Sequence, residues 1–422
     1  MEYNVSDKVK NTLEALLAVP EVAAGFEFIE KDQDNCINEQ IELTLIEAPT
    51  FNEQNRAEVF KKKFEQLGLE DVHIDRGGNV VGVRKGCGNG PRVLVEGHLD
   101  TVFPFGSVKK VEEKDGFLHA PGIGDDTRAL AMILSMVRAC NASGVKNSGD
   151  IVFVGTTREE GMGSLGGMKD FLDDNFENIS ASVSIDGGNI ADITYEATGF
   201  KTYEVNFYGI GGHAYGAFGL MANPLHAAAR AVAKIADFQV SADPKTTFCV
   251  SNFHAGNDAG VHAIVPKATI KFNFRSNSAE LLEELDGRIF KAIQEACDEE
   301  TARWGKDTIT WDMKRYCDVP AGTQDVHSPM VEGVYSVIKH LGVDPHFNQG
   351  GSTNCNMAID KGIPAVCIGR GYYPEGVDKD NKVHNLGEKY PIGGAFKGVQ
   401  ETFLVTLLCT GVEGVDPIVE KK

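Results

Sequence analysis

Short apolar segments alternate with helical segments over much of this chain, and this alternation most constrains its fold. Patterns typical of buried strands occur at residues 93–98, 151–154 and 181–185, and a helical pattern covers residues 129–140. Parallel strands need a long crossover connection, usually a helix, so the alternation favours a mixed, largely parallel sheet flanked by helices. The sequence therefore predicts an α/β domain.

The pattern changes near residue 197 and changes back near residue 315. Residues 201–207 and 269–274 alternate between apolar and polar side chains, and helical patterns cover residues 223–235 and 279–302. We therefore expect an α+β domain with an antiparallel sheet and two helices. The chain of 422 residues is also longer than one hydrophobic core usually serves. We predict a main domain in two parts with an inserted domain between them, at residues 1–196, 197–314 and 315–422.

The segment from Thr50 to Glu53 matches a capping box, in which a hydroxyl and a carboxylate satisfy the first amide groups of a helix. This match predicts a helix that runs on through Lys63 and Leu67. Gly68 follows, and glycine is the residue type that commonly ends a helix.

Charge and composition exclude several classes of function. The chain has 41 Lys and Arg against 61 Asp and Glu, a net charge of −20 that repels phosphate backbones and anionic lipid. We therefore expect neither nucleic acid nor a membrane as a partner. The first residues show no signal-peptide pattern, and the nine cysteines are isolated, which disfavours a disulfide framework. A cytoplasmic location is predicted.

Acidic and imidazole side chains stand where the predicted strands end. In doubly wound sheets the loops after the carboxyl ends of strands converge on one crevice, so residues far apart in sequence can meet there. Imidazoles combined with carboxylates suit zinc, or cobalt and manganese, better than calcium. The groups are His98 with Asp100, Asp125 with Asp126, Glu159 with Glu160, Asp186, and His384.

These segments resemble the co-catalytic metallopeptidases of the M20 family. The matching motifs are His-Leu-Asp-Thr-Val at 98–102, Gly-Ile-Gly-Asp-Asp at 122–126 and Thr-Thr-Arg-Glu-Glu-Gly at 156–161, followed by Asp186 and His384. The resemblance runs from about residue 40 to the end of the chain, inserted domain included, and is greatest to the tripeptide aminopeptidase (peptidase T-like) branch. The family also contains dipeptidases, glutamate carboxypeptidases and N-acyl amino-acid deacetylases.

Taken singly, each motif has an ordinary alternative. Glu159 and Glu160 could be a solvated acidic pair, and Asp186 before two glycines could be a turn residue. His98 or His384 alone could be an ordinary surface or hydrogen-bonded histidine. The site hypothesis therefore depends on their joint occurrence in the family's order.

The resemblance implies two divalent metal ions, with zinc as the first expectation and cobalt or manganese as alternatives. Asp125 is expected to bridge the two ions. His98 and Asp186 would complete one metal site, and Glu160 and His384 the other.

Three further implications concern residues beside the expected ligands. Asp100 would accept a hydrogen bond from the ring nitrogen of His98 that faces away from the metal. Glu159 would be the general base that takes a proton from water and passes it to the leaving amine. The peptide bond between Asp125 and Asp126 corresponds to one that is cis in the family.

The inserted domain and one later loop add substrate-binding expectations. His213 resembles the family's lid histidine, which reaches the site of a partner subunit and stabilises the oxyanion, so a homodimer through the inserted domain is expected. Arg275 resembles the lid arginine that binds a substrate carboxylate. The Gly-rich loop contributes Gly351, Ser352 and Asn354 to substrate binding, although many members carry aspartate in this loop.

The predicted function is a metal-dependent exopeptidase that hydrolyses short peptides, with water activated by Glu159. An N-acyl amino-acid deacetylase or a carboxypeptidase with the same chemistry is the alternative, and a non-catalytic protein that binds peptide or metal is a further one. A nucleophilic hydrolase is disfavoured because the sequence has no Gly-x-Ser-x-Gly motif.

Overall fold

A computed structural model describes residues 3–304, 309–348, 350–372 and 383–422. The chain divides into two compact units. The main unit comprises Met1–Ala197 and Thr323–Lys422, and the inserted unit comprises Thr198–Gly322. Among the described residues, no helix combines the length and the apolar character that a bilayer crossing requires.

The helices fall in both units. Longer α-helices are α1 (Asp7–Leu17), α2 (Pro20–Lys31), α3 (Gln33–Leu45), α4 (Gln54–Gln66), α5 (Thr127–Ser143), α6 (Gly166–Asn175), α7 (Pro224–Ala236), α8 (Ala279–Trp304), α9 (Pro329–His340), α10 (Cys355–Asp360) and α11 (Phe396–Thr410). Short 3₁₀ turns occur at Gly161–Gly163 and Phe176–Asn178.

The strands likewise fall in both units. They are β1 (Glu70–Ile74), β2 (Val80–Arg84), β3 (Val93–His98), β4 (Glu112–Lys114), β5 (Phe117–His119), β6 (Ile151–Thr156), β7 (Ala181–Asn189), β8 (Asp192–Thr194), β9 (Gly199–Tyr208), β10 (Gly212–His213), β11 (Thr246–Ala255), β12 (Ala263–Ile264), β13 (Lys267–Ser276), β14 (Thr310–Val319), β15 (His346–Asn348), β16 (Ala365–Gly371) and β17 (Lys389–Pro391).

The main unit is built on an eight-stranded sheet with strand order β1-β2-β6-β3-β7-β16-β8-β15. The central strands β6, β3, β7 and β16 are mutually parallel, while β1, β2 and β8 add antiparallel pairings. Every residue of β3, β6 and β16 is buried, as expected for central strands covered on both faces. The predicted mixed, largely parallel sheet flanked by helices is confirmed.

Two long apolar helices cover this sheet. Helix α5 packs against β3 and against α2 and α3, and it ends at Gly144, whose φ of 71° suits glycine. Helix α11 is buried along nearly its whole length and packs against α2, α5 and β16. Because α5 begins directly after Asp126, the packing of this helix fixes the position of the Asp125–Asp126 pair.

The inserted unit has a four-stranded antiparallel sheet with order β11-β13-β9-β14. Helices α7 and α8 pack on one face of this sheet, over the buried side chains of Phe272 and Phe274. Asn223 caps α7 by accepting a hydrogen bond from the amide of Leu225, with Pro224 in the first turn. The α+β class predicted for the insertion is confirmed.

Two sequence predictions need correction. The capping box is wrong: α4 begins at Gln54, and the Thr50 hydroxyl donates to the Asp100 carboxylate at 2.9 Å, so it does not cap the helix. The second boundary of the insertion lies later than residue 314, because strand β14 stays paired with β9 through Val319.

Candidate metal centre

The carboxyl ends of neighbouring parallel strands bring the predicted ligands together. His98 ends β3, Asp186 lies late in the adjacent β7, and Glu160 follows the end of β6 on the other side of β3. Asp125 enters from the turn before α5, and His384 comes from the loop before β17. Ligands from both parts of the main unit therefore converge at one edge of the sheet.

His98, Asp125 and Asp186 form the group that we call the inner cluster. The Nε2 atom of His98 lies 3.0 Å from Asp125 Oδ1 and 3.8 Å from Asp186 Oδ1. The side chain of His98 is only 1% exposed and that of Asp186 13%. The inner cluster is therefore largely closed to solvent.

Asp125, Glu160 and His384 form a second group, the outer cluster. The Nε2 atom of His384 lies 3.2 Å from Asp125 Oδ2 and 2.8 Å from Glu160 Oε1. Asp125 thus presents one carboxylate oxygen to each cluster, the arrangement that a bridging ligand requires. The outer cluster is more open, since the His384 side chain is 53% exposed.

A third group joins the two clusters and contains the predicted base. His98, Glu159 and Glu160 each offer a ligand atom within 4.8 Å of the others, the same limit that the inner and outer clusters meet. Glu159 is buried beside them. The donor set of two imidazoles and several carboxylates fits zinc, cobalt or manganese.

The electrostatics of this pocket favour cations. Burial lowers the pKa of His98, but the surrounding carboxylates, Asp126 first among them, outweigh it and raise the pKa well above its usual value. Hydrogen bonds to Asp125 and Glu160 raise the pKa of His384 to about 10. Both shifts stabilise positive charge, which a pocket with surplus negative charge should do.

The carboxyl groups of the site differ in the direction in which their pKa values are shifted. Burial raises the pKa of Asp125, but the Arg370 guanidinium and the two imidazoles outweigh burial and hold it well below its usual range. Burial, and then the Asp186 carboxylate, raise the pKa of Glu159 well above its usual range. Burial also raises the pKa of Asp186 to about 6, against the lowering effect of Arg370. The Asp125 carboxyl group is therefore the stronger acid of the two, and Glu159 has the higher affinity for a proton.

Asp100 lies beside the Nδ1 atom of His98, as expected, and it has a further role in holding a nearby turn. The Nδ1 atom of His98 lies 3.0 Å from the main-chain oxygen of Asp100 and 3.6 Å from its carboxylate, so the ring bonds to the backbone. The Asp100 carboxylate instead accepts the amide N–H groups of Glu159 and Glu160 at 3.0 and 3.1 Å, and the Thr50 hydroxyl. Asp100 is thus a positioning residue for the turn that carries Glu159.

The peptide bond between Asp125 and Asp126 is cis, as the resemblance implied. The Asp126 carboxylate belongs to neither cluster and accepts the backbone N–H of His98 at 2.9 Å. The two acidic neighbours therefore do different things: Asp125 faces both clusters, and Asp126 holds the strand end that carries His98.

Sequence analysis missed Arg370, which lies near the end of β16. Its Nη1 donates to the main-chain and carboxylate oxygens of Asp186, and its Nη2 lies 3.4 Å from Asp125 Oδ2. Burial disfavours the charged guanidinium, but Asp125 and Asp186 outweigh burial and raise its pKa, so the positive charge is kept. A charged residue at the end of an apolar strand was the available signal.

Two buried glutamates that support the site were also missed. Glu388 accepts the backbone N–H groups of Gly122, Gly124 and Asp125 at 2.8 to 2.9 Å and so fixes the turn that carries Asp125. Glu53 accepts the N–H of Arg158 at 3.0 Å, directly before Glu159. Their partners are far away in sequence, so no local pattern marks them.

The Gly-rich loop is only partly available to a substrate. Gly351 and Ser352 are partly exposed, whereas Asn354 is 2% exposed. The Asn354 amide donates to the buried Glu96 carboxylate at 2.7 Å and to the Thr156 hydroxyl at 2.8 Å. The side chain of Asn354 therefore ties the loop to β3 and β6, and its contact with substrate stays a prediction.

His213 and Arg275 lie in the inserted unit. His213 is exposed in the short strand β10, and its Nδ1 accepts the N–H of Gly216 at 3.4 Å, which leaves the hydrogen of the neutral ring on Nε2. Arg275 lies on β13, exposed, with its guanidinium 4.8 Å from the centre of the Phe200 ring. Both side chains are accessible on the inserted unit.

Comparison with known proteins agrees with this geometry. A succinyl-diaminopimelate desuccinylase of Burkholderia cenocepacia (strain HI2424) is 28% identical over 277 residues, which cover 60% of this chain and 72% of the relative.

Solved structures share the fold. The aminopeptidase PepT of Bacillus cereus ATCC 10987 superposes with a TM-score of 0.72 at 23% identity, covering 88% of this chain and 97% of that one. YxeP of Bacillus subtilis, described as a dinuclear metal binding peptidase from the M20 family, gives a TM-score of 0.65 at 15% identity, covering 90% and 99%. Residues 94–400 match the family model described as peptidase family M20/M25/M40. The chain is therefore a member of peptidase family M20.

Proposed function

We propose that this protein is a metal-dependent exopeptidase that releases amino acids from di- and tripeptides. The observation that carries the proposal is the pair of ligand clusters that share Asp125, with the buried Glu159 carboxyl beside them. A protein that only bound peptide would have no use for a carboxyl group with raised proton affinity at this place. The structural resemblance to an aminopeptidase favours peptides as the substrate.

Two divalent cations are part of the proposal, with zinc first and cobalt or manganese as alternatives. His98 and Asp186 would hold one cation and Glu160 and His384 the other, with Asp125 between them. When bound, such ions polarise a carbonyl group and lower the pKa of water. His98 presents Nε2 to the inner cluster because its Nδ1 is held by the main chain of Asp100.

Glu159 is the proposed general base. Its backbone is held by the Asp100 carboxylate at 3.0 Å and by the 3.3 Å hydrogen bond from the Leu165 amide, so the carboxyl group has a fixed place. Its raised pKa lets it take a proton from the attacking water and later deliver it to the leaving amine.

The inserted unit supplies the remaining proposed groups. With its Nδ1 accepting from Gly216, the His213 ring has a donor at Nε2, which is what stabilising a developing oxyanion requires. Arg275 offers a planar, permanently charged group for the carboxylate of a substrate. Gly351 and Ser352 are proposed to border the substrate.

A homodimer through the inserted unit is also proposed. Around His213, the large apolar side chains of Ile210, Tyr215, Phe218 and Leu220 are each more than 60% exposed. Exposed apolar side chains of this kind commonly mark a surface that is covered in an assembly. A sedimentation mass equal to one chain would reject the dimer.

Removal of an N-acyl group is the second candidate. It is favoured by the 28% identity to a protein named as a desuccinylase. An acylated amino acid would present the same amide carbonyl to the clusters and the same carboxylate to Arg275. The two candidates therefore differ in substrate and share the chemistry.

A substrate panel tests the proposal. The protein, supplied with zinc, cobalt or manganese, is incubated with free di- and tripeptides and with N-acetyl and N-succinyl amino acids, and the products are identified by mass. We expect the protein to release free amino acids from the peptides, and a Glu159→Gln variant to release them far more slowly. Turnover of the acylated compounds alone would reject the exopeptidase and support the second candidate.

A further inference from the structure

We infer that Arg370 lowers the cation affinity of the inner cluster, so that the outer cluster fills first and the two metal ions bind in unequal steps. This inference rests on the proposed function only in so far as both require divalent cations at these clusters. It concerns a residue that is no ligand and that belongs to neither cluster.

The contacts of Arg370 single out the inner cluster. Its Nη1 donates to Asp186 twice, to the main-chain oxygen at 2.8 Å and to Oδ1, the same atom that lies 3.8 Å from His98 Nε2. Its Nη2 lies 3.4 Å from Asp125 Oδ2. The guanidinium therefore makes two hydrogen bonds to Asp186 of the inner cluster, whereas its contact with Asp125 is longer and reaches the oxygen that faces the outer cluster.

The backbone keeps the guanidinium in this place. Strand β16 pairs in parallel with β7, and the register shifts between Ile368 and Gly369, beside the strand segment that carries Asp186. A Cβ at Gly369 would lie 2.1 Å from the main-chain oxygen of Asn189, so only glycine permits this close approach. The Tyr390 hydroxyl donates to the Arg370 carbonyl at 2.9 Å and so also holds the backbone at this residue.

The charge of Arg370 is permanent, since a guanidinium does not lose its proton in proteins. Its side chain is 6% exposed, so solvent and salt screen it weakly. A fixed positive charge that already neutralises Asp125 and Asp186 opposes a cation that must bind the same two carboxylates. In the outer cluster, Glu160 takes the place of Asp186, and the half-exposed His384 lies closer to water.

The opposite role for Arg370 would be to strengthen the inner cluster, because its two hydrogen bonds also hold Asp186 in a fixed orientation. Under that role, loss of Arg370 would weaken the inner cluster. The two roles predict changes of opposite sign, and replacement by methionine or by lysine separates them. Methionine removes the charge, while lysine keeps it with fewer hydrogen bonds.

The experiment is a titration of the metal-free protein with Co²⁺. Binding is measured by calorimetry and by the visible absorption of bound Co²⁺. Wild type is expected to bind two ions in two separate steps. Asp186→Asn should abolish the weaker step and His384→Ala the tighter one, which assigns each step to a cluster. Arg370→Met should tighten the weaker step by about tenfold or more, and Arg370→Lys should leave the steps separate.

Several results would overturn the inference. They are equal affinity for the two ions in wild type, loss of the tighter step in Asp186→Asn, and a weaker second step in Arg370→Met. The assignment by Asp186→Asn and His384→Ala decides the filling order even if Arg370→Met does not fold. Two unequal binding steps without peptide hydrolysis would support the inference and reject the exopeptidase. Peptide hydrolysis with two equal binding steps would reject the inference and support the exopeptidase.

Discussion

The inner and outer clusters share Asp125 but are built from different parts of the fold. His98 and Asp186 of the inner cluster lie on paired strands, are nearly closed to solvent and have Arg370 beside them. Glu160 and His384 of the outer cluster lie in loops, and His384 has a positive φ of 59° and a half-exposed ring. Strand pairing therefore fixes the inner ligands, whereas loop conformation fixes the outer ones.

This difference separates burial from binding strength. The buried inner cluster has the permanent charge of Arg370 beside it, so closure to solvent does not by itself make its metal site the stronger one. Asp125 connects the two clusters with one oxygen facing each. Substitution of the shared residue should therefore affect both clusters, and substitution of an unshared residue only one.

The largest effect is expected at the shared ligand. Asp125→Ala should remove both cations and reduce the rate of peptide hydrolysis by roughly a thousandfold or more, because both clusters lose a carboxylate. Metal content by mass spectrometry and initial rates measure this. Asp186→Asn and His384→Ala are the matched variants, each expected to lose one cation. Two cations retained in Asp125→Ala would refute the shared-ligand arrangement.

The next effect separates proton transfer from metal binding. Glu159→Gln keeps the size of the side chain but removes the base, so kcat should fall by roughly a hundred- to ten-thousandfold. The variant should still contain two metal ions, since inner and outer ligands are unchanged. The rate of peptide hydrolysis and the metal content of the variant, measured together, separate the two effects. Full activity in this variant would contradict the role of Glu159.

A smaller effect is expected at the support beneath Asp125. Glu388→Gln replaces one carboxylate oxygen by an NH₂ group, which cannot accept a hydrogen bond from the three backbone N–H groups that Glu388 holds. The turn that carries Asp125 should therefore loosen. Cation affinity should fall by about ten- to a hundredfold at both clusters, because both depend on Asp125. Glu113→Gln, at an exposed position of β4, is the control and should change nothing. A loss of cation affinity at one cluster only would argue that Glu388 does not act through Asp125.

The last effect concerns stability and not activity, and it compares the clusters with a buried carboxyl group in α11, that of Glu401. Both Glu401 carboxyl oxygens lack a hydrogen-bond partner among the described residues, and burial raises the pKa of Glu401 well above its usual value. The group is then neutral in the folded state but ionises in the unfolded state above about pH 4.3.

Because the folded pKa is raised, Glu401 contributes stability at low pH that is lost as the pH rises toward that pKa. Above the unfolded pKa, the free energy of unfolding of Glu401→Gln should therefore gain on wild type by about 1.4 kcal/mol per pH unit. Urea unfolding between pH 5 and pH 8, values chosen to span about three units of this window, measures it. A difference that does not change with pH would show that Glu401 is ionised in the folded protein.

Residues at the ends of parallel strands could be predicted from the sequence. The carboxyl ends of such strands meet at one edge, so His98, Glu160 and Asp186 were expected to be neighbours, and the structure brings them together. The family resemblance added the division of the ligands into two sites that share Asp125, and the cis bond. Fold class followed from the alternation of strand and helix patterns.

Contacts that depend on side-chain direction could not be predicted. Arg370 meets Asp186 across 184 residues, and Glu388 meets Asp125 across 263. Competition between partners was equally invisible: the Asp100 carboxylate accepts the Thr50 hydroxyl, which removes the capping box, and it also accepts two backbone amides. The hydrogen bond from the Asn354 amide to Glu96, across 258 residues, was likewise invisible in the sequence.

Anomalous X-ray scattering from crystals grown with zinc tests the central claim most directly. The account predicts two peaks in the main unit, one among His98, Asp125 and Asp186, the other among Asp125, Glu160 and His384. Both peaks should contact Asp125, through different oxygens. A single peak, or peaks that do not share Asp125, would contradict the two-cation centre and the hydrolytic function proposed for it.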